Sequence, residues 1–437
     1  MLYGIAAAIA SFLLAALLTA LLRGPALRLS LVDRRRQRPV PLLGGVAVVL
    51  VAGLVAWAGD QAGVVPLGTG VGRLLVAGTA VGALGLAADV WRLRGRWLVA
   101  GTAVAAAFVV PYGETGPALG VLAVGWITLV AAAFRGLDHA DGLAGTVGVV
   151  TAFGIGACAA VELMDGLAVL LSALAAALAG FLLHNRHPAR VALGACGSLF
   201  AGFLLAGAAV FTRAGHAPGT GAGVLFALTA LASVDAVLVL LSRRLAGRPL
   251  LRGGPDHLAH RLRRLGLTPQ GAVVVLGAVA SGGVLVGVLV HIGWAGEAAA
   301  LWVAGGAVAG VPALLRVRVY EPPKRRAGTD TRARTSPHWP RAELHGQMRE
   351  QARVRGQSPA QDETRGRGPV PAGGEARGRG QSRAGGEARG RGQSRAGGEA
   401  RGRGQSRAGD EARGAGAVPG ARRGAGAGAG QGAVPGT

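Results

Sequence analysis

The stretch RGLDHADGLAG, residues 135–145, sets Asp138, His139 and Asp141 between two apolar runs that each look long enough to cross a bilayer. A charged group in hydrocarbon is costly, so acids and an imidazole in such a place point to function. Asp33, Asp89, His184, Asn185, His187, Asp235, Asp256, His257 and His260 also fall at, or within about one turn of, the ends of apolar runs. Carboxylates from several helix ends beside arginines suit a divalent cation and phosphate groups. Hard cations take oxygen ligands and share them with substrate phosphates, and guanidinium forks bind phosphate oxygens in pairs. Loops that are merely charged and solvated would show the same spacing, and spacing alone does not separate the two readings.

These residues need helices to carry them. Eleven apolar runs are candidates for spans of about 20 residues, near 3–22, 43–59, 74–88, 97–111, 118–134, 143–160, 167–184, 191–211, 222–241, 271–291 and 298–315. The third and fourth admit another reading, so ten spans is the alternative count. Residues 1–22 lack a basic start and a cleavage site and read as a retained first span, not a signal peptide. Nineteen arginines, including Arg23, Arg92, Arg135, Arg186 and Arg243, fall in one set of connections, while the alternate set holds only Arg73 and Arg213. That asymmetry places the Arg-rich loops in the cytoplasm, the N-terminus outside and the C-terminal tail inside. The acids and histidines named above then share the cytoplasmic face. A transporter or channel would instead want acids deep in its spans.

Composition agrees with a divided chain. Half the residues are hydrophobic (51%), yet the formal charge is +24, a combination that does not suit one soluble globule. Residues 321–437 carry 23 Lys or Arg against 11 Asp or Glu and almost no Ile, Leu or Phe, too little apolar surface to offset ordering entropy. The expectation is an all-α polytopic membrane protein with about eleven transmembrane helices over 1–320, followed by a disordered Arg/Gly-rich tail. The tail carries three copies of GGEARGRGQSRA across 373–408. Arg-Gly repeats can hold anionic lipid or RNA weakly, and the Glu in each repeat dilutes that charge. Cys158 and Cys196 lie in or beside apolar segments and read as buried thiols, not a disulfide framework.

Five segments in chain order resemble the polyprenyl-phosphate N-acetylhexosamine-1-phosphate transferases, the MraY/WecA-like glycosyltransferase family 4. LVDRRRQRPVPLLGGVAV looks like the family's first cytoplasmic loop, and LGLAADVWRLRGRWL like the segment ending in an aspartate pair. RGLDHADGLAG looks like the Asp-Gly-x-Asp-Gly-Leu loop. GFLLHNRHPARVALGACGSLFAGF looks like the stretch normally reading Asn-x-x-Pro-Ala and then Gly-Asp-x-Gly-Ser. The segment from Ser233 to Val273 looks like the long loop with the His-rich motif. The resemblance implies transfer of a sugar-1-phosphate from a UDP-sugar, UDP-GlcNAc-like, to undecaprenyl or another polyprenyl phosphate, with release of UMP. It implies a bacterial plasma-membrane enzyme of cell-envelope polysaccharide synthesis that uses Mg²⁺, or Mn²⁺ in its place. Its partners would be the lipid phosphate, the nucleotide sugar, the membrane and, as an open question of assembly, a second copy in a homodimer.

Carried over residue by residue, the resemblance assigns catalysis to Asp89, Asp138 and Asp141, and metal binding to Asp138 and Asp89. It assigns substrate binding to Asn185, Asp256, His257, His260 and Arg261. The chain also departs from the pattern. Ala88 stands where the aspartate pair has its first acid, Ala132 and Arg135 where asparagines are usual, His139 where a glycine is usual, Ala195 at a magnesium-ligand aspartate, and Ala259 at a histidine. Alanine offers no oxygen, so the metal site is weakened. The alternative is a catalytically weakened or inactive relative that binds lipid phosphate, nucleotide sugar or a partner enzyme.

Several residues carry plainer readings. Asp138 and Asp141 would serve as N-caps of the helix that begins at Gly-Leu-Ala. Asp235, near the end of the ninth run, matches the family pattern and could equally pair with Arg243 or Arg244. His257 and His260 share a helical face but have no third soft ligand in sequence. The glycine pairs Gly44-Gly45 and Gly282-Gly283 read as close helix contacts. The acids of the outer loops show no spacing that suggests a site.

Overall fold

The computed structural model describes residues 2–33, 39–250, 254–317 and 319–320. Among these residues the regular structure is helical apart from a two-residue antiparallel ladder that pairs Val32–Asp33 (β1) with Val40–Pro41 (β2). The helices are α1 (Leu2–Arg28), α2 (Gly44–Gln61), α3 (Gly68–Trp91), α4 (Gly95–Val109), α5 (Tyr112–Leu137), α6 (Leu143–Val161) and α7 (Asp165–Asn185). They continue with α8 (Gly194–Arg213), α9 (Pro218–Leu228), α10 (Ala230–Leu245), α11 (Leu258–Arg264), α12 (Pro269–His291) and α13 (Ala298–Leu315). The tail with its repeats, residues 34–38 and residues 251–253 lie outside the described residues.

Nine of the described helices are long and apolar enough to cross a membrane, and the chain is an all-α multi-pass membrane protein. The other two apolar runs take different forms. The run near 222–241 is broken at Thr229, where α9 and α10 meet at a bend of 82° and count as a span only together. The run near 97–111 becomes α4, whose fifteen residues reach about 22 Å at 1.5 Å per residue, short of a hydrocarbon layer of about 30 Å.

Residue size decides which faces meet lipid. On α1, Ile5, Ile9, Leu13, Leu17 and Leu21 recur every four residues and are all more than half exposed. The small residues Ala7, Ser11, Ala15 and Thr19 recur on the opposite face and are buried, α7 being the main neighbour of this helix. The longer residues face the bilayer, and the small ones let the helices approach. The centre of the bundle is α8, in which 94% of the span is buried.

Gly45 shows why that centre needs small residues. A side chain there would fall onto the backbone of Leu193 and Gly197 at the start of α8. Gly85 on α3 likewise leaves room for the backbone of Ala195. Of the second glycine pair only Gly283 packs closely, against Ala227 and Ala230, while Gly282 faces open space. Helix α12 starts as its sequence indicates, with Thr268 accepting the Gly271 amide at 3.0 Å and Pro269 in the first turn.

Candidate functional site

The start of α8 is the meeting point. Helix N-termini leave backbone N–H groups without internal partners, and here acids from distant parts of the chain supply them. Asp138, just past α5, accepts the Gly194 amide at 2.9 Å. Asp89, near the end of α3, accepts the Cys196 amide at 3.2 Å. Gly194 has a left-handed φ of 70°, and a Cβ there would lie 2.7 Å from the Asp89 Oδ2. Glycine therefore allows both the turn and the approach of the carboxylate. Asp138 and Asp141 do not cap α6, whose N-cap Gly142 makes no side-chain bond; the cap expected for the next helix serves α8 instead.

The first loop joins the same place. Ala192 donates to the Pro41 carbonyl at 2.8 Å, and Gly44 donates to the Ala192 carbonyl at 3.2 Å. Arg135 and Asp33 lie close enough to Asp89 to interact electrostatically with it. Asn185 braces the neighbouring loops, its Oδ1 accepting from Gly142 N at 2.8 Å and its Nδ2 donating to Val191 O at 2.7 Å. Asp141 accepts the Ala189 amide at 3.1 Å and meets His187 Nδ1 at 2.8 Å.

A second group borders the first through residues 136–139. His139 stacks on His257, with ring centroids 4.3 Å apart, and lies tilted by 35° to His260, with centroids 4.7 Å apart. Its Nδ1 lies 2.6 Å from the Gly136 carbonyl, which fixes the proton on Nδ1, and its Nε2 is buried without a partner. Burial, with the His257 imidazole against it, pushes the His139 ring down to about 3, so it is neutral at physiological pH. His257 Nδ1 is held at 2.8 Å by Asp235, whose other oxygen accepts the Leu258 amide.

Asp235 thus pairs with His257 and not with the α10 arginines, and Arg243 turns to Asp256 with contacts of 2.5 and 3.1 Å. Burial alone would raise the Asp256 carboxyl, but the Arg243 guanidinium outweighs it and holds the group below the usual carboxylate range. The third imidazole that sequence spacing did not supply is His139, although it joins by stacking.

The site residues expected from sequence divide accordingly. Asp89 and Asp138 meet at α8, Asp141 lies on the adjoining loop, and His257 and His260 border them through His139. Asn185, Asp256 and Arg261 are buried and bonded within the protein. Arg261 donates to the carbonyls of Asp256, Leu314 and Val317 and to the Ser242 hydroxyl, tying the end of α13 to the loop. Arginine in a short helix gave no sequence signal of that structural use.

The donor set bears on a metal. Ala195 contributes no oxygen at the start of α8, and among the described residues no group of three His, Cys, Asp or Glu side chains is arranged to hold an ion. Two carboxylates completed by substrate phosphates and waters are nonetheless a usual Mg²⁺ environment. Asp89 and Asp138, both bonded at the start of α8, are the carboxylates that would have to supply such a pair.

At the opposite end of the bundle, Glu162 Oε1 lies 3.2 Å from His216 Nε2 and 3.3 Å from His291 Nε2, and Arg213 Nη1 lies 3.1 Å from His291 Nδ1. Of the acids that looked scattered in sequence, Glu162 is thus gathered with two histidines by the helix ends.

Residues 72–213 match the model of glycosyl transferase family 4. That range includes Asp89, Asp138, Asp141, Asn185 and Ala195 and stops before the His257 loop. The chain is 74% identical over 336 residues to a Streptomyces coelicolor protein named "Putative glycosyltransferase", covering 76% of this chain and 82% of that protein. It is 30% identical over 314 residues to the decaprenyl-phosphate N-acetylglucosaminephosphotransferase of Mycobacterium tuberculosis, covering 60% and 78%. It is 35% identical over 147 residues to the phospho-N-acetylmuramoyl-pentapeptide-transferase of Symbiobacterium thermophilum, covering 33% and 42%.

Proposed function

This chain belongs to glycosyl transferase family 4, and on that premise we propose that it moves a sugar-1-phosphate from a UDP-sugar to a polyprenyl phosphate in the bacterial plasma membrane. A lipid phosphate oxygen forms a bond to the β-phosphorus of the donor. The bond from that phosphorus to the bridging oxygen breaks, and UMP departs with the bridging oxygen and its electron pair. The product is a lipid-linked diphosphosugar for a cell-envelope polymer.

The observation that carries this reading is the convergence on α8. Asp138 and Asp89, brought from separate helices, meet its first residues, and Arg135 and the His139–His257 stack border them. The chain's own groups would act as follows. Asp89 and Asp138, fixed by backbone amides, orient the donor diphosphate and hold an Mg²⁺ or Mn²⁺ ion with it. When bound, that ion supplies positive charge that stabilises the developing charge on the phosphates. Arg135 adds cationic charge beside Asp89. His257, held at Nδ1 by Asp235, directs its other ring nitrogen away from that acid and toward a substrate oxygen. In this reading the site end faces the cytoplasm, where nucleotide sugars arise, as the arginine asymmetry supports.

Ala195 favours a second reading, a non-catalytic relative that binds the same ligands. Membranes carrying the protein, given undecaprenyl phosphate, a panel of UDP-sugars and Mg²⁺ or Mn²⁺, distinguish the two. UMP release that needs the lipid supports transfer. No release from folded protein supports the second reading, and activity gained in Ala88→Asp with Ala195→Asp would then mark a decayed site.

A further inference from the structure

We propose that His139 is a positioning residue, which with the Gly136 backbone forms a cradle that holds the His257 imidazole in register with the Asp138 carboxylate. Asp138 and His139 are consecutive, yet they serve different parts of the fold. Asp138 accepts the Gly194 amide at the start of α8 at 2.9 Å, while the His139 ring lies on His257 at an interplanar angle of 22°. One turn of chain therefore ties the acid at α8 to the loop between α10 and α11.

The His139 ring is set by its own turn. The Gly136 carbonyl accepts both the His139 backbone amide at 3.3 Å and the ring Nδ1–H at 2.6 Å. Gly136 also gives His257 its place, because a Cβ there would lie 3.0 Å from His257 Cε1 and 3.7 Å from Asp235 Oδ2. On α10, buried Asp235 holds His257 Nδ1 and the Leu258 amide, each at 2.8 Å. The His257 ring is thus held at Nδ1 by the acid, flanked at Cε1 by Gly136 and covered on a face by His139. Its Nε2 has no hydrogen-bond partner among the described residues. An imidazole held in this way keeps one direction for that nitrogen, as orientation of a reacting group requires.

Packing alone does not explain a histidine at 139. Its Nε2 is buried without a partner, a cost that a hydrocarbon side chain in the same place would avoid. The ring that bears this cost is the one whose Nδ1 bond fixes its plane against His257. That His257 Nε2 meets a substrate oxygen rests on the proposed transfer, whereas the cradle itself does not.

The test uses the full-length protein, with turnover measured in vesicles containing undecaprenyl phosphate. Histidine NMR in detergent is recorded alongside, the His257 signal being assigned by its loss in His257→Gln. His139→Leu removes the ring, and so does His139→Asn, which keeps a donor for the Gly136 carbonyl. Each is expected to lower kcat roughly tenfold, the scale of one aromatic pair, with KM for the UDP-sugar unchanged. His139→Phe is expected to recover most of the loss, and His139→Leu added to His257→Gln is expected to cost nothing further. The His257 Cε1 proton is expected to move downfield in the Leu and Asn variants, where the neighbouring ring current is gone, and to stay in place in the Phe variant. Wild-type kcat in folded Leu and Asn variants overturns the cradle, as does an equal loss in the His257→Gln background or an unmoved His257 signal. Absence of UMP release by the wild type removes the transferase reading, and the NMR signal then decides the cradle alone.

Discussion

The Asp138 carboxylate accepts the Gly194 amide at 2.9 Å across 56 residues of chain. This bond joins the loop after α5 to the central helix, and it depends on the left-handed turn at Gly194. A Cβ at that position would lie 2.7 Å from Asp89 Oδ2 and 2.8 Å from the Leu42 carbonyl. Gly194→Ala is expected to destabilise the fold by about 1–3 kcal/mol and to disturb Asp89. Thermal unfolding in detergent reads the first effect, and an unchanged midpoint would contradict this account of the turn.

Asn185 is a buried bridge between Gly142 and Val191. Asn185→Ala leaves an N–H and a carbonyl without partners, at a cost of about 2 kcal/mol or more. Protease sensitivity is expected to rise at the 138–142 and 186–193 loops together. Cleavage rising at one loop alone would mean that the side chain does not couple them.

Neutral His139 makes stability depend on pH. Its folded value of about 3 lies below the ordinary 6.5, first through burial and then through His257. The unfolded chain therefore takes up the proton first. The stabilisation is complete above about pH 6.5 and is lost as pH falls toward 3, at up to about 1.4 kcal/mol per pH unit. Melting temperatures from pH 7 to pH 4 are expected to fall less steeply in His139→Asn than in the wild type, and parallel curves would remove the effect.

The buried pair of Arg243 and Asp256 carries a different signature. Removing one partner leaves an uncompensated charge, so Asp256→Asn or Arg243→Met is expected to cost about 3–5 kcal/mol. The double variant is expected to lose less than the two losses added together. Additive losses in a double-mutant cycle would show that the pair is not coupled.

Much of this architecture was legible in the sequence because hydrophobic length and arginine asymmetry are local signals. They gave the helices and gathered the polar residues at one end, and the contact between His139 and His257 agrees with that grouping. Pairing is a property of three dimensions, and there the sequence misled. Asp235 had two arginines a little over two turns along its own helix, yet its partner is His257 beyond the next loop. Arg261 looked suited to phosphate, but the helix turns it inward to the carbonyls that end α13 and leaves Arg263 outside. The break at Thr229 was hidden because an apolar run does not record where its helix bends, whereas the fourth run, now α4, already admitted another reading in the sequence.

The most direct measurement follows the label of a UDP-sugar carrying radioactive phosphorus at the β position, in vesicles containing undecaprenyl phosphate and the purified protein. The account predicts that the label moves into the lipid fraction while unlabelled UMP is released, and that Asp138→Asn and Asp89→Asn each reduce the transfer by about tenfold or more. Label remaining entirely in nucleotide with folded wild-type protein, across the panel of sugars and with either metal, would contradict it.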